Sequence, residues 1–180
     1  MAWEAAFLLW IQENVRCSFL SAILVPYTLS CNIGLPWIVI GLLLFAYPKN
    51  RKAGFIALFS LLIAFLLNDF CLKLIIMRTR PFDAIENLVP LVKRPHGSSC
   101  PSGHSNTAFA FAVGLFLNSK KRLGIPFLVL AVIMAFSRLY VGVHYPTDVI
   151  LGAFVGSMVA VGFSKLMNTV IEKKDLKYLK

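Results

Sequence analysis

The chain has 180 residues, of which 58% are apolar and only 14% charged, and it carries a net charge of +10. A soluble domain has about a quarter of its residues charged, so a water-soluble globular fold is excluded, and the length leaves room for one domain. The positive charge falls at the ends of apolar runs rather than in a stripe, which argues against a nucleic-acid partner and for a membrane.

Residues 1–16 read as an amphipathic interfacial helix. Glu4, Glu13 and Arg16 make a crossing costly, while Trp3, Phe7 and Trp10 suit the membrane boundary. Residues 18–30 are apolar but short, with Pro26 inside, and Asn32, Gly34 and Pro36 break the run. This segment reads as a second interfacial or re-entrant helix, or alternatively as a tilted first span. Crossing helices are expected at 34–47, 53–77, 102–118, 123–140 and 146–168. The expected fold is therefore all-α, a polytopic membrane bundle of five to six transmembrane helices with N-terminal interfacial helices. Its organisation is N-terminal helices over 1–31, a core over 32–170 and a basic cytoplasmic tail over 171–180.

Lys49, Arg51 and Lys52, then Lys120, Lys121 and Arg122, then Lys165, Lys173, Lys174, Lys177 and Lys180 mark one face as cytoplasmic by the positive-inside rule. The remaining cations, Arg16, Lys73, Arg78, Arg80, Lys93, Arg94 and Arg138, gather on or near the opposite face, where an excess needs a reason. Cys17, Cys31, Cys71 and Cys100 show no metal-type spacing. Cys71 reads as packing, and a disulfide among the other three has no support in the pattern. No basic n-region precedes a cleavable apolar segment, so no signal peptide is expected.

Three stretches on the outer face carry chemistry. In KLIIMRTRP, Lys73 and Arg80 are seven residues apart, which places them on one helix face about 10 Å apart. Pro81 is expected to end that helix, and Asp69, four residues before Lys73, can pair with it. In PSGH, Pro101 to His104, a proline, a serine and a glycine open an apolar helix. Free backbone N–H groups and the Ser102 hydroxyl there suit an anion, and His104 sits where a leaving oxygen needs a proton. In SRLYVGVHYPTD, Pro146 sets the start of a helix, with His144 just outside it and Asp148 in its first turn. A carboxylate so placed can accept the Nδ1 proton of His144 and leave Nε2 free as nucleophile or base, with Arg138 as a nearby cation.

Lys73, Arg80 and Arg138 at membrane depth would cost about 2.5–3.5 kcal/mol each on insertion scales. Only Asp69 and Asp148 are at hand to offset them, so an anionic ligand is expected. His96, Lys93 and Arg94 form a possible head-group contact, with a solvated loop as the alternative.

Lys-x6-Arg-Pro, Pro-Ser-Gly-His and Ser-Arg-x5-His-x3-Asp, in this order over about residues 35–168, resemble the three motifs of the type 2 phosphatidic acid phosphatase family. The resemblance implies that His144 attacks phosphorus and forms a phosphohistidine, with Asp148 orienting it. His104 would protonate the leaving oxygen and later activate water. Lys73, Arg80, Ser102, Gly103 and Arg138 would bind the phosphate oxygens, with no metal and no cofactor. It further implies a multi-pass protein of the bacterial cytoplasmic membrane with its site on the extracytoplasmic side. The substrate would be a lipid phosphate or pyrophosphate. Undecaprenyl pyrophosphate is favoured, and phosphatidylglycerophosphate, lipid A and a non-catalytic lipid-binding role stay open. Arg78, Lys93 and Arg94 would suit a diphosphate. The motifs are silent on the oligomeric state.

Overall fold

The computed structural model describes residues 2–178, with side chains to Lys173, and every regular element among them is helical. In chain order these are α1 (Ala2–Trp10), α2 (Ser18–Ser30), α3 (Leu35–Ala46), α4 (Arg51–Leu67), α5 (Lys73–Ile76), α6 (Pro81–Ala84), α7 (Gly103–Asn118), α8 (Lys121–Tyr140) and α9 (Pro146–Tyr178). A π-turn at Ile11–Val15 extends α1, and another at Asn68–Leu72 joins α4 to α5. The expected tail over 171–180 begins as the last turns of α9, and its side chains beyond Lys173 lie outside the described residues.

α7 is the axis of the bundle. It packs most extensively on α9, then on α4 and α8. Its sequence explains why: Ala108, Ala110, Ala112 and Gly114 are all buried and let neighbouring backbones come close. The contact with α9 is closest at two glycines. A Cβ at Gly152 would lie 2.5 Å from the Ser102 carbonyl oxygen, and one at Gly156 would collide with that of Asn106. The apolar core lies between α3, α4, α7 and α8, where the Trp37 ring packs tilted on Phe111 at 5.5 Å and Ala57, Leu115 and Met134 close around them. Outside the core, Leu43, Phe154 and Ile150 stand more than 60% exposed, as side chains bathed in lipid rather than water would.

Pro48–Ala84, Lys121–Tyr140 and Pro146–Lys173 contain helices long and apolar enough to cross a membrane. The pair α2 and α3, bent by 61° at the break around Asn32, adds a fourth if it counts as one span. The five to six spans expected from the sequence are thus not reached by length alone. α7 has 16 residues and covers about 24 Å, short of the roughly 30 Å hydrocarbon core of a bilayer. Both ends of α2 contact that same end of the bundle. Cys17 N donates to Tyr140 Oη at 3.1 Å, and Asn32, just past its C-terminus, meets His104 at 3.2 Å.

The helix expected to continue from Lys73 to Pro81 stops at Ile76. Met77 takes a left-handed conformation (φ 45°), and residues 77–80 run irregularly until Pro81 starts α6. The physical reason is the X–Pro step, which holds Arg80 extended (φ −74°, ψ 151°) and so opens a new helix at proline instead of closing the old one. Lys73 and Arg80 therefore do not share a helix face. All four cysteines are free.

Candidate active site

The three chemical stretches meet where α7 and α9 begin and α8 ends, and Asp148 joins them. Its Oδ1 accepts from Arg78 Nη1 at 2.5 Å, and its Oδ2 accepts from Ser99 Oγ at 2.5 Å and from the Tyr145 backbone N–H at 2.9 Å. Its backbone carbonyl accepts from Ser102 N at 3.0 Å, which ties the PSGH turn to the first turn of α9. Pro146 at the first helical position leaves Asp148 in the turn above, fully buried, as the sequence requires.

His144 lies just outside α9 and is 3% exposed. Its Nδ1 is 3.6 Å from Asp148 Oδ2 and has no hydrogen-bond partner. The expected His144–Asp148 hydrogen bond is therefore not made at this distance; Arg78, Ser99 and the Tyr145 N–H hold the carboxylate instead. Burial drives the His144 imidazole down to about 4; Asp148 opposes that shift, and Arg138 and Arg80 add to it. The ring is neutral at pH 7.

The PSGH stretch forms a capped start to α7. Ser102 is the N-cap, and its Oγ accepts from Ser105 N at 3.5 Å and from Ser105 Oγ at 3.1 Å. Gly103 brings the backbone close to Lys73: a Cβ there would lie 3.4 Å from Lys73 Nζ. Lys73 pairs with Asp69 at 2.6 Å, the partner its spacing indicates. His104 in the next position touches Asn32 through Nε2.

Arg80 and Arg138 are both nearly buried, at 6% and 5% exposure, and behave differently. Arg80 donates to four backbone carbonyls: Gly97 at 3.0 Å, Val143 at 3.1 Å, His96 at 3.2 Å and Ser98 at 3.3 Å. A guanidinium has five donors, so Arg80 ties the loop to the 141–145 turn and has one left. Arg138 makes one bond, to Thr28 Oγ1 at 2.6 Å, and its buried Nε has no partner. Leaving such a donor unpaired is costly, and an anion would satisfy it.

Three adjoining cavities surround these groups. One of about 600 Å³ includes Lys73, Met77, Arg80, Arg94 and His96 in its lining. A second, of about 260 Å³, lies between Lys73, Gly103 and His104. A third, of about 320 Å³, has His104 and Arg138 in its wall with Lys93, Arg94 and His96 at its mouth. Lys73 and His104 thus each border two cavities, and the 93–96 loop faces the same space as the motif residues.

Sequence reasoning left out Ser99, Thr28, Asn32 and Glu4. Ser99 lies in the run Gly97-Ser98-Ser99, which signals a turn and nothing more. Glu4 was legible as a carboxylate on an apolar helix, whose burial at 3% no periodicity foretells. Arg78, expected to be free for a second phosphate, is held by Asp148, by Glu4 and by the Tyr145 ring 3.9 Å below it.

Among known proteins, an undecaprenyl-diphosphatase of Sulfolobus acidocaldarius is 36% identical over 124 residues, 69% of this chain and 60% of that one, so the chain spans less than two thirds of that relative. The undecaprenyl-diphosphatase BcrC of Bacillus subtilis is 30% identical over 150 residues, 81% of this chain and 73% of its own length. A crystal structure of a transmembrane PAP2-type phosphatidylglycerolphosphate phosphatase from Bacillus subtilis superposes with a TM-score of 0.76 at 29% identity, covering 94% of this chain and 86% of that one. The model of the PAP2 superfamily matches residues 53–172, which carry Lys73, Arg80, the PSGH turn and the His144–Asp148 pair in one continuous match. With the motifs in order, the helices in place and their side chains gathered at one end of the bundle, the chain belongs to the PAP2 superfamily.

Proposed function

We propose that the protein is a membrane lipid phosphatase. In this reading His144 attacks a phosphoryl group, Asp148 orients it and His104 protonates the leaving oxygen. Lys73, Ser102, Gly103, Arg138 and the remaining donor of Arg80 receive the phosphate oxygens. The observation that carries the reading is the buried Arg138 Nε with no protein partner, in the wall of a cavity it shares with His104. Preorganised cations in a site closed to water stabilise the charge that develops in phosphoryl transfer. Among the described residues no cluster of carboxylates would hold Mg²⁺ by oxygen ligands, and in this reading the cations take that part.

The substrate we favour is undecaprenyl pyrophosphate, converted to undecaprenyl phosphate, by likeness to the Sulfolobus relative. Phosphatidylglycerophosphate is the second reading, favoured by the structural likeness over 94% of the chain. A lipid would reach the site sideways. The cavity of about 600 Å³ has polar walls at Arg80 and His96, and an apolar flank at Leu74 and Met77, both more than 60% exposed. The basic turns at 49–52 and 120–122 support a reading in which the site opens on the extracytoplasmic face of a cytoplasmic membrane.

The test is phosphate release by purified protein in detergent with excess chelator, comparing undecaprenyl pyrophosphate, phosphatidylglycerophosphate and phosphatidic acid, with His144→Ala as control. Chelator-resistant release that the variant loses supports the mechanism, and the ranking of rates identifies the lipid. Release by the variant at the wild-type rate would remove His144 as nucleophile, and no release from any of the three would favour a binding role or another lipid.

A further inference from the structure

The N-terminal helix lies outside the stretch that matches the family, yet it reaches the centre of the site. Glu4 on α1 is 3% exposed and accepts three hydrogen bonds: from Arg78 Nη2 at 2.6 Å, from Thr147 Oγ1 at 2.6 Å and from Thr147 N at 3.3 Å. Arg78 Nη1 in turn donates to Asp148 Oδ1 at 2.5 Å and Thr147 Oγ1 at 2.7 Å, with its guanidinium flat over the Tyr145 ring. One arginine thus bridges two buried carboxylates, one of them the partner of His144. Burial would raise the Glu4 carboxyl, but the bonds from Thr147 and Arg78 outweigh it and hold Glu4 below the usual carboxylate range, so it is ionised.

We propose that Glu4 is a positioning residue for the site, fixing Arg78 and sharing its charge so that Asp148 keeps the orientation and the negative charge that His144 needs. A half-buried guanidinium facing one carboxylate would largely neutralise it; facing two, it neutralises each in part. The remaining acceptors of Asp148 are filled by Ser99 and the Tyr145 backbone, so Arg78 is the contact through which a distant group can act on it. Leu8, buried against Leu88 and Tyr145, and Arg16, whose Nε donates to Tyr140 O at 2.9 Å, hold α1 and its π-turn in register for this contact. The amphipathic N-terminal segment thereby becomes part of the catalytic apparatus as well as a membrane anchor. The proposal rests on the phosphatase reading above.

The experiment measures kcat and KM across about pH 3 to 8 for full-length wild type, Glu4→Gln and Thr147→Val, with His144→Ala beside them. The charged and titratable groups facing His144 are Asp148 on α9, Arg138 on α8, Arg80 and Arg78 from the 77–80 stretch, His104 on α7 and, through Arg78, Glu4 on α1. Glu4→Gln keeps the shape and removes a negative charge. It is expected to lower kcat about tenfold to a hundredfold, the usual cost of losing an orienting partner one step from the reacting group. KM should stay within about twofold, and the acid limb of kcat should move to lower pH because His144 then protonates less readily. Thr147→Val loosens Glu4 without changing charge, so kcat falls and the limb stays. Glu4→Gln with kcat within about twofold of wild type and an unmoved limb, or a rise in KM alone, would overturn the proposal. Should Glu4→Gln fail to fold, Thr147→Val decides: a lowered kcat supports the role, and an unchanged one overturns it. Silence of the wild type, or activity in His144→Ala, would instead overturn the phosphatase reading itself.

Discussion

His144, Asp148 and Ser99 form the smallest unit on which the proposed activity depends. Asp148→Asn places an amide where Arg78, Ser99 and Tyr145 N–H all donate, so at least one donor faces another and the side chain turns away from His144. A loss of about 10²–10⁴ in kcat is expected, by analogy with the orienting carboxylate of hydrolase triads, and steady-state kinetics will measure it. Ser99→Ala removes one hydroxyl that donates to Asp148 and leaves the charge, so a loss of about tenfold or less is expected in the same assay. The imidazole of His144 also links stability to pH. Its folded-state value of about 4 lies below the unfolded value, so protonation is resisted in the folded protein. Its share of stability is complete above about pH 6.5 and is lost as pH falls toward about 4. The thermal midpoint in detergent should fall over that window, and His144→Ala should flatten the fall; an equal slope in the variant would show that other groups carry it. At this scale the identities of the motif residues were legible, because residue type and spacing carry the chemistry. The hydrogen-bond state of each was not, since Arg80 turns to carbonyls and Arg78 to two carboxylates only in the folded arrangement.

The helices position this chemistry through two devices. The first is the small-residue seam between α7 and α9, where Gly156 faces the Asn106 carbonyl and Gly152 the Ser102 carbonyl. Gly156→Ala forces the two helices apart. It is expected to cost about 1–3 kcal/mol as overpacking and to lower activity by shifting the PSGH turn from Asp148. Gly162→Ala on the same helix meets nothing within 4 Å and should be neutral or slightly stabilising, since alanine is the better helix former. Thermal unfolding of both variants in detergent checks the pair; equal shifts would mean that the seam is not what the glycines serve. The second device is the break at Met77, which turns Arg78 and Arg80 inward toward the 96–98 loop and the α8–α9 turn. Helix positions were legible from apolar runs and prolines. The break was not, because a proline that ends one helix and a proline that opens the next look alike until the preceding residues are placed.

Across the whole molecule, both ends of α2 and the contact of α1 with Thr147 lie at the site end of the bundle. The N-terminus is therefore expected on the same side as the site, with five crossings of the membrane when α2 and α3 are taken together. Ala2→Cys, with the native cysteines replaced, should label with an impermeant reagent from the same side as a cysteine in the 85–95 loop, and from the side opposite one at residue 120. Labelling from the side of residue 120 would require another crossing. Apolar run length, basic turns and three spaced motifs are enough to dictate a helical membrane bundle and its chemical class, because lipid solvation demands helices and phosphoryl chemistry demands those side chains. Tertiary structure alone settles which cations are free and which are tied down. It also seats the N-terminal helix on Thr147 and Arg78, because buried charge is governed by partners distant in the chain, and no local pattern records them.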